Sequence, residues 1–211
     1  MVLTAAHCVK AGDVITKPAF VRVGMINVND PAAVQRNVAR VFVHPAFDAG
    51  SNANDVALLK LQKPVQGVSV TRLADPKLKV KIGQALTVAG FGYTPSSPFA
   101  VSDILLYTTL RFVSRSDCQS FYDTYDYGFV LPRSHMCAGS LTKSDSCGGD
   151  SGGPLLTLGP EGVQVGIVSY GTLAGTCGNA GNIGAYTDIR VVRPWIERIL
   201  GLVAGGGQRP A

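Results

Sequence analysis

The sequence has no apolar run near the ~20 residues that a bilayer-spanning helix needs, so no transmembrane helix is expected. It has no CxxC pair, and its three histidines, His7, His44 and His135, lie far apart, which gives a zinc site little support. Charged residues are only 16% against 46% hydrophobic, and glycine and proline are scattered rather than gathered in one tract, which opposes disorder and low complexity. The net charge is +5, yet the densest basic stretch, Lys77 to Lys81, is a short alternating run. A nucleic-acid reader clusters its positive charge, so no such partner is expected. No leader pattern of charged region, apolar core and small-residue cleavage site opens the sequence, because Met1-Val2-Leu3 runs straight into Thr4-Ala5-Ala6-His7-Cys8.

With 211 residues the chain can bury a sizeable core as one domain or two tightly packed subdomains. Short β-rich runs dominate: Phe20 to Val23, Ala39 to Val43, Val56 to Leu61, Ala85 to Ala89, Ile104 to Phe112, Leu155 to Leu158, Val163 to Ser169 and Ala185 to Asp188. Gly, Pro, Asn and Asp punctuate them, which suits an all-β barrel or sandwich. The amphipathic segments of a parallel α/β fold are missing between them. One helix is expected near the end, where Val191, Val192, Trp195, Ile196, Ile199 and Leu200 recur at helical spacing, starting near Pro194 and stopping around Gly201. The Gly205 to Pro210 tail has nothing to bury, and disorder is expected over 202–211. Pro95 to Pro98 reads as an exposed loop, and a boundary between two halves falls near Pro95 to Val101.

The densest chemical signal is Gly148-Gly149-Asp150-Ser151-Gly152-Gly153-Pro154. Four glycines, an acid and a serine let the backbone turn sharply, expose a hydroxyl and aim N–H groups into one concavity. A plain glycine-rich turn and a phosphate nest are the other readings, although the Gly-Lys-Ser/Thr ending of a phosphate loop is absent. A serine nucleophile needs a base held by a buried acid. His7, among small residues and beside Cys8, and Asp55, opening the apolar run Val56-Ala57-Leu58-Leu59, are candidates. Taken singly, His7 also suits a structural role and Asp55 a turn or cap.

Together, Thr4-Ala5-Ala6-His7-Cys8, Asp55-Val56-Ala57-Leu58-Leu59 and Gly149-Asp150-Ser151-Gly152-Gly153-Pro154 resemble the three signature blocks of the trypsin-like, chymotrypsin-fold serine proteases, in the chain order His, Asp, Ser. The resemblance runs from Val2 to about Leu200 and takes in His44-Pro45, Ala89-Gly90-Phe91-Gly92 and Met136-Cys137-Ala138-Gly139. It implies an all-β fold of two packed antiparallel barrels, the first incomplete over 1–95, the second over 96–190, with a C-terminal helix over 191–201. It also implies endopeptidase chemistry. Ser151 attacks, His7 moves the proton, Asp55 orients the imidazole, and the N–H groups of Gly149 and Ser151 hold the oxyanion.

By the same resemblance Asp145, six residues before Ser151, and the wall glycines Gly171 and Gly184 imply cleavage after Arg or Lys, because a desolvated carboxylate pairs with a long cationic side chain. Asp145 also reads as a plain surface acid in Lys143-Ser144-Asp145-Ser146. Ser169-Tyr170-Gly171 implies an edge that pairs with the substrate backbone, although Tyr170 stands where the family usually has tryptophan. Five cysteines close at most two internal bridges; the resemblance implies Cys118–Cys137 and Cys147–Cys177, with Cys8 left over. In the family, a terminus freed by cleavage and usually reading Ile-Val-Gly-Gly buries its ammonium against the acid before the serine, here Asp150. His7 lies too near Met1 for that segment, and the expectation is a longer, secreted precursor with a leader and an activation peptide. Polypeptide substrates and protein protease inhibitors are the implied partners. No cofactor is expected, nor a calcium site, since Met25 stands where a carboxylate would be wanted and Asn29-Asp30 gives too few hard ligands. The alternative is a protease-like binding protein without activity, or a chain inactive as written because the segment upstream of His7 is missing.

Overall fold

The structure, a computed structural model, describes residues 1–94, 97–126, 128–159, 162–171 and 177–201, with the backbone alone for 97–99. The expected tail and part of the Pro95 to Pro98 loop therefore lie outside the described residues, while Ser97–Val101 is a strand paired with Tyr93–Thr94. The chain is mostly β, with one closed six-strand barrel, one open sheet curled as a half-barrel, and a C-terminal helix.

The open sheet orders its strands Val2–Thr4, Ala57–Leu61, Val34–Val43, Phe20–Val23, all antiparallel. In the closed barrel, Pro154–Thr157, Ala85–Gly90, Leu106–Val113, His135–Gly139, Ile183–Asp188 and Val163–Tyr170 follow one another, and the last pairs back with the first. Closure leaves that ring no free edge. Leu86 and Val88 are buried while their neighbours Ala85, Thr87 and Ala89 are only partly covered, the period of two that a pleated strand imposes. Because Ala85–Gly90 belongs to the barrel, the change of sheet falls upstream of the boundary expected at 95–96: hydrogen-bond pairing to Leu106–Val113 decides it, not the proline-rich punctuation that follows.

One apolar core spans both sheets. Ala5, Val56 and Leu58 from the open sheet's side pack with Leu86, Leu110, Leu155 and Ile167 of the barrel and with Ile189, Val192, Trp195 and Ile196 of the helix. That helix covers Ile189–Leu200 and so begins earlier than expected. Asp188 caps it by accepting the Arg190 N–H and also pairs with the Arg190 guanidinium, so the first turn forms ahead of Pro194. The proline then forfeits a single backbone bond inside the helix. Gly201, at φ 72°, ends it with the left-handed cap that glycine adopts without penalty.

A second helix, Arg115–Asp123, has no counterpart in the sequence reading. Ser114 caps it, Cys118 and Tyr122 are its buried pair one turn apart, and the Cys118–Cys137 disulfide fastens it to the barrel. With only two buried positions in so polar a run, the apolar periodicity is too thin to read.

Candidate active site

Antiparallel pairing brings the first two site residues together. Thr4 pairs with Ala57 and Val2 with Leu59, so the end of one strand lies beside the start of the other. His7 follows the first strand and Asp55 precedes the second, and they meet although 48 residues separate them. Asp55 is fully buried and accepts the His7 backbone N–H at 2.9 Å and the ring Nδ1–H at 2.7 Å. Asn54, just before it, sits at φ 56° in the left-handed region that asparagine tolerates better than most residues.

The barrel supplies the other bonds to Asp55. Ser169 Oγ donates to Oδ2 at 2.6 Å, and Thr187 Oγ1 donates to the Asp55 carbonyl at 2.8 Å. The ladder shifts register between Val168, opposite Tyr186, and Tyr170, opposite Ala185. Ser169 is the extra residue, and such a bulge re-aims a side chain, here inward to the carboxylate. Ser169 was expected only at the substrate edge. Its bond to Asp55 depends on a register shift between strands that no local pattern announces.

Burial pushes the Asp55 carboxyl up, but the hydrogen bond and charge of His7 and the Ser169 hydroxyl outweigh it and hold the group below its usual range. His7 is raised to about 10, first by its bond to Asp55 and then by one to Cys8, against the effect of burial. The Cys8 thiol lies 3.7 Å from His7 Nε2, the nitrogen that a general base presents to its nucleophile. Cys8 is exposed and unpaired.

Ser151 lies in the turn that packs on the histidine block. A Cβ on Gly152 would stand 2.2 Å from Thr4 Oγ1 and 3.1 Å from the Ala5 nitrogen, so only glycine allows this approach. Gly152 N–H donates to the Val168 carbonyl and Val168 N–H to that of Gly153, which stitches the turn to the strand carrying Ser169. The preceding turn closes through Asp150 N–H to the Cys147 carbonyl at 3.0 Å, with Gly149 at φ 92°, the positive φ a type II turn requires at its third position. Among the described residues neither the Gly149 nor the Ser151 N–H donates a hydrogen bond, and Ser151 Oγ makes none, including with His7. His7 and Asp55 are therefore joined directly, while the turn that holds Ser151 packs on Thr4 and Ala5 and Ser151 bonds to neither of the pair among the described residues.

The Asp150 carboxylate is held by backbone N–H groups. Its Oδ1 accepts the Gly92 N–H at 2.8 Å and its Oδ2 the Cys147 N–H at 2.9 Å. It lines a cavity of about 180 Å³ with Val88, Gly90, Leu106, Thr108 and Lys143. Asp145 is half-buried; its Oδ1 accepts the Ser146 N–H and its Oδ2 accepts from Asn182 Nδ2 at 3.1 Å and the Gly178 N–H at 3.3 Å. The Cys147–Cys177 disulfide, with Cα atoms 5.4 Å apart, ties together the two segments that bear these groups. Burial pushes the Asp145 carboxyl up, and these hydrogen bonds only partly offset it. Of the two glycines expected at the pocket walls, Gly171 faces open space, whereas the space beside Gly184 is filled by the Tyr186 ring, whose hydroxyl meets Ser146 Oγ at 2.8 Å.

His135, treated above only as a possible metal ligand, is buried against this site, with Nε2 3.1 Å from Ser169 Oγ and its ring 5.2 Å from that of Tyr170. The Tyr170 hydroxyl is buried and has no hydrogen-bond partner among the described residues. No three His, Cys, Asp or Glu side chains gather as a metal site among those residues.

The closed six-strand barrel, the curled half-barrel sheet and the C-terminal helix match the chymotrypsin-like two-barrel fold of serine proteases. Comparison with known proteins agrees. The trypsin family description matches residues 1–196. The chain is similar to trypsin iota of Drosophila melanogaster, 34% identical over 199 residues, which cover 94% of this chain and 74% of that protein. It is similar to human kallikrein-7, 32% identical over 204 residues, covering 93% and 72% of the two chains. Among solved structures it is similar to neuropsin, a serine protease expressed in the limbic system of mouse brain, with a TM-score of 0.76 and 28% identity over 94% of this chain and 83% of that one. The chain belongs to the trypsin family of serine proteases.

Proposed function

We propose that this protein is a serine endopeptidase that hydrolyses peptide bonds after Arg or Lys, with Ser151 as nucleophile, His7 as general base and then acid, and Asp55 as the group that orients His7. The observation that carries this reading is the Asp55 carboxylate holding His7 Nδ1–H at 2.7 Å, which commits Nε2 to proton transfer. The unengaged N–H groups of Gly149 and Ser151, in one turn beside the hydroxyl, suit an oxyanion hole. Attack by Ser151 Oγ on the scissile carbonyl passes the hydroxyl proton to the deprotonated His7 ring, a step that rising pH favours because His7 is raised to about 10, and leaves negative charge on the oxygen that these N–H groups face. Collapse breaks the C–N bond and returns the proton to the leaving amine. Water then repeats the sequence on the acyl-enzyme.

Asp145 supports the Arg/Lys preference, because a carboxylate already disfavoured by burial gains most from a guanidinium or ammonium. Ser169, Tyr170 and Gly171 would line the substrate edge, with Gly171 leaving room, while the packed Tyr186 ring at Gly184 limits the opposite wall. Asp150 is the group we connect with activation. Its cavity suits a short apolar chain end whose ammonium reaches the carboxylate, and a peptide beginning Ile-Val is expected to bind there and to lose that binding in Asp150→Asn. Two disulfides support a secreted, zymogen-type protein that meets polypeptide substrates and protein inhibitors outside the cell. The test is hydrolysis of matched Arg, Lys and apolar amide substrates by the wild type, Ser151→Ala and Asp145→Ser. Turnover that survives Ser151→Ala, or a preference indifferent to Asp145→Ser, overturns the respective assignment.

A second reading has its own support. His7 Nε2 faces Cys8 Sγ and Ser151 Oγ has no hydrogen bond among the described residues, which suits a protease-like binding protein. Titration with a reagent that acylates or phosphonylates active-site serines separates the two: stoichiometric labelling lost in Ser151→Ala belongs to the enzyme alone.

A further inference from the structure

The Ser169 hydroxyl links two histidines that the sequence keeps far apart. It lies 2.6 Å from Asp55 Oδ2 and 3.1 Å from His135 Nε2. Ionised, the carboxylate can only accept, so the Ser169 proton points to Asp55 and its oxygen is free to accept in turn. His135 must then carry its proton on Nε2. Burial, with Arg115 adding to it and Asp55 opposing, holds the His135 imidazole down to about 4, so the ring is neutral at neutral pH. Its Nδ1 is then an acceptor, and it faces Ser134 Oγ at 3.3 Å. Ser134 Oγ accepts the Asn54 N–H at 2.8 Å, which leaves the Ser134 proton for His135. Every proton direction is set along a chain that leaves the backbone of Asn54 and returns to the side chain of the next residue, Asp55.

We propose that His135 is a positioning residue for the His7–Asp55 pair: its Nε2–H holds the Ser169 hydroxyl in the orientation that donates to Asp55, and so fixes how tightly Asp55 holds His7. The inference rests on the reading of His7 and Asp55 as catalytic partners, but it does not depend on turnover. A donor to a carboxylate stabilises its charge and draws electron density from the bond to His7. Removing that donor leaves a more basic carboxylate and a more tightly held imidazolium. The titratable and charged groups that face His7 are Asp55 and Cys8, and those that face His135 are Asp55, Arg115 and Tyr170. None of these is altered in the variants below.

The experiment is an NMR titration of the His7 ring in the full chain, for wild type, His135→Leu, His135→Gln, Ser169→Ala and the Ser169→Ala/His135→Leu double variant. His135→Leu and Ser169→Ala are each expected to move the His7 midpoint up by about half a pH unit or more, the size of one hydrogen bond expressed as a pKa change. His135→Gln, whose amide can still donate near the Nε2 position, is expected to return it toward wild type. The double variant is expected to shift no further than Ser169→Ala alone, since His135 acts through that hydroxyl. Additive shifts, an unmoved midpoint in His135→Leu, or a glutamine variant that behaves like leucine overturns the proposal and leaves His135 a packing residue. Hydrolysis by wild type and Ser151→Ala, recorded in parallel, bears on the peptidase reading alone.

Discussion

His7 is fastened to Asp55 at two points, backbone N–H to Oδ1 and ring Nδ1 to Oδ2, so one buried carboxylate fixes both the position and the rotation of the imidazole. Asp55→Asn keeps the shape but removes the charge and offers an amide where an acceptor is needed. The His7 titration midpoint is expected to fall from about 10 toward the ordinary histidine range, and amide hydrolysis to drop by roughly 10⁴-fold. NMR titration and steady-state kinetics on the same preparation check both.

Stability should depend on pH with opposite sign at the two histidines. His135 is lowered from 6.5 to about 4, so the unfolded chain binds its proton first, and stability is lost as pH falls through that window. The full loss is on the order of 3 kcal/mol from a shift of that size. His7 is raised from 6.5 to about 10, so its contribution is complete below 6.5 and is lost as pH rises toward 10. Urea midpoints of Ser151→Ala from pH 4 to pH 10 measure both limbs, and His135→Gln should flatten the acid one alone.

Tyr170→Phe should stabilise the protein. The Tyr170 hydroxyl is buried without a partner among the described residues, while the ring packs on Tyr122, Phe129 and His135. Removing the oxygen keeps those contacts and relieves a desolvation cost of about 1 kcal/mol or more. Thermal unfolding should show a higher midpoint; a lower one means the hydroxyl has a partner that matters.

Gly92→Ala should damage the site from a distance. The added Cβ would stand 2.4 Å from Asp150 Cγ and displace the carboxylate that accepts the Gly92 N–H. A cost of about 1–3 kcal/mol in stability is expected from such overpacking, with labelling of Ser151 slowed because the turn it shares with Asp150 moves. Denaturant unfolding and the rate of labelling measure the two effects.

Much of this was legible in the sequence for reasons that differ by residue. Leu86 and Val88 alternate with less buried neighbours, so their strand could be read from period alone. The strand His135–Gly139 could not, since all five residues are buried and none alternates. The family followed from three short blocks, and in the last of them Gly149, Gly152 and Gly153 each stand where a Cβ would crowd a neighbour, as Gly152 would crowd Thr4. Ser169 and His135 were out of reach as partners of Asp55. Their roles arise from a register shift between strands and from a contact across 34 residues, and neither leaves a mark on the local sequence.

Asp55 takes its bonds from both sides of the molecule: His7 from the open sheet, Ser169 and Thr187 from the barrel. The seam between the halves is thus also where one charge is kept out of water. Parting them would break bonds that reach this residue from both halves at once, so the seam ties the stability of each half to the other.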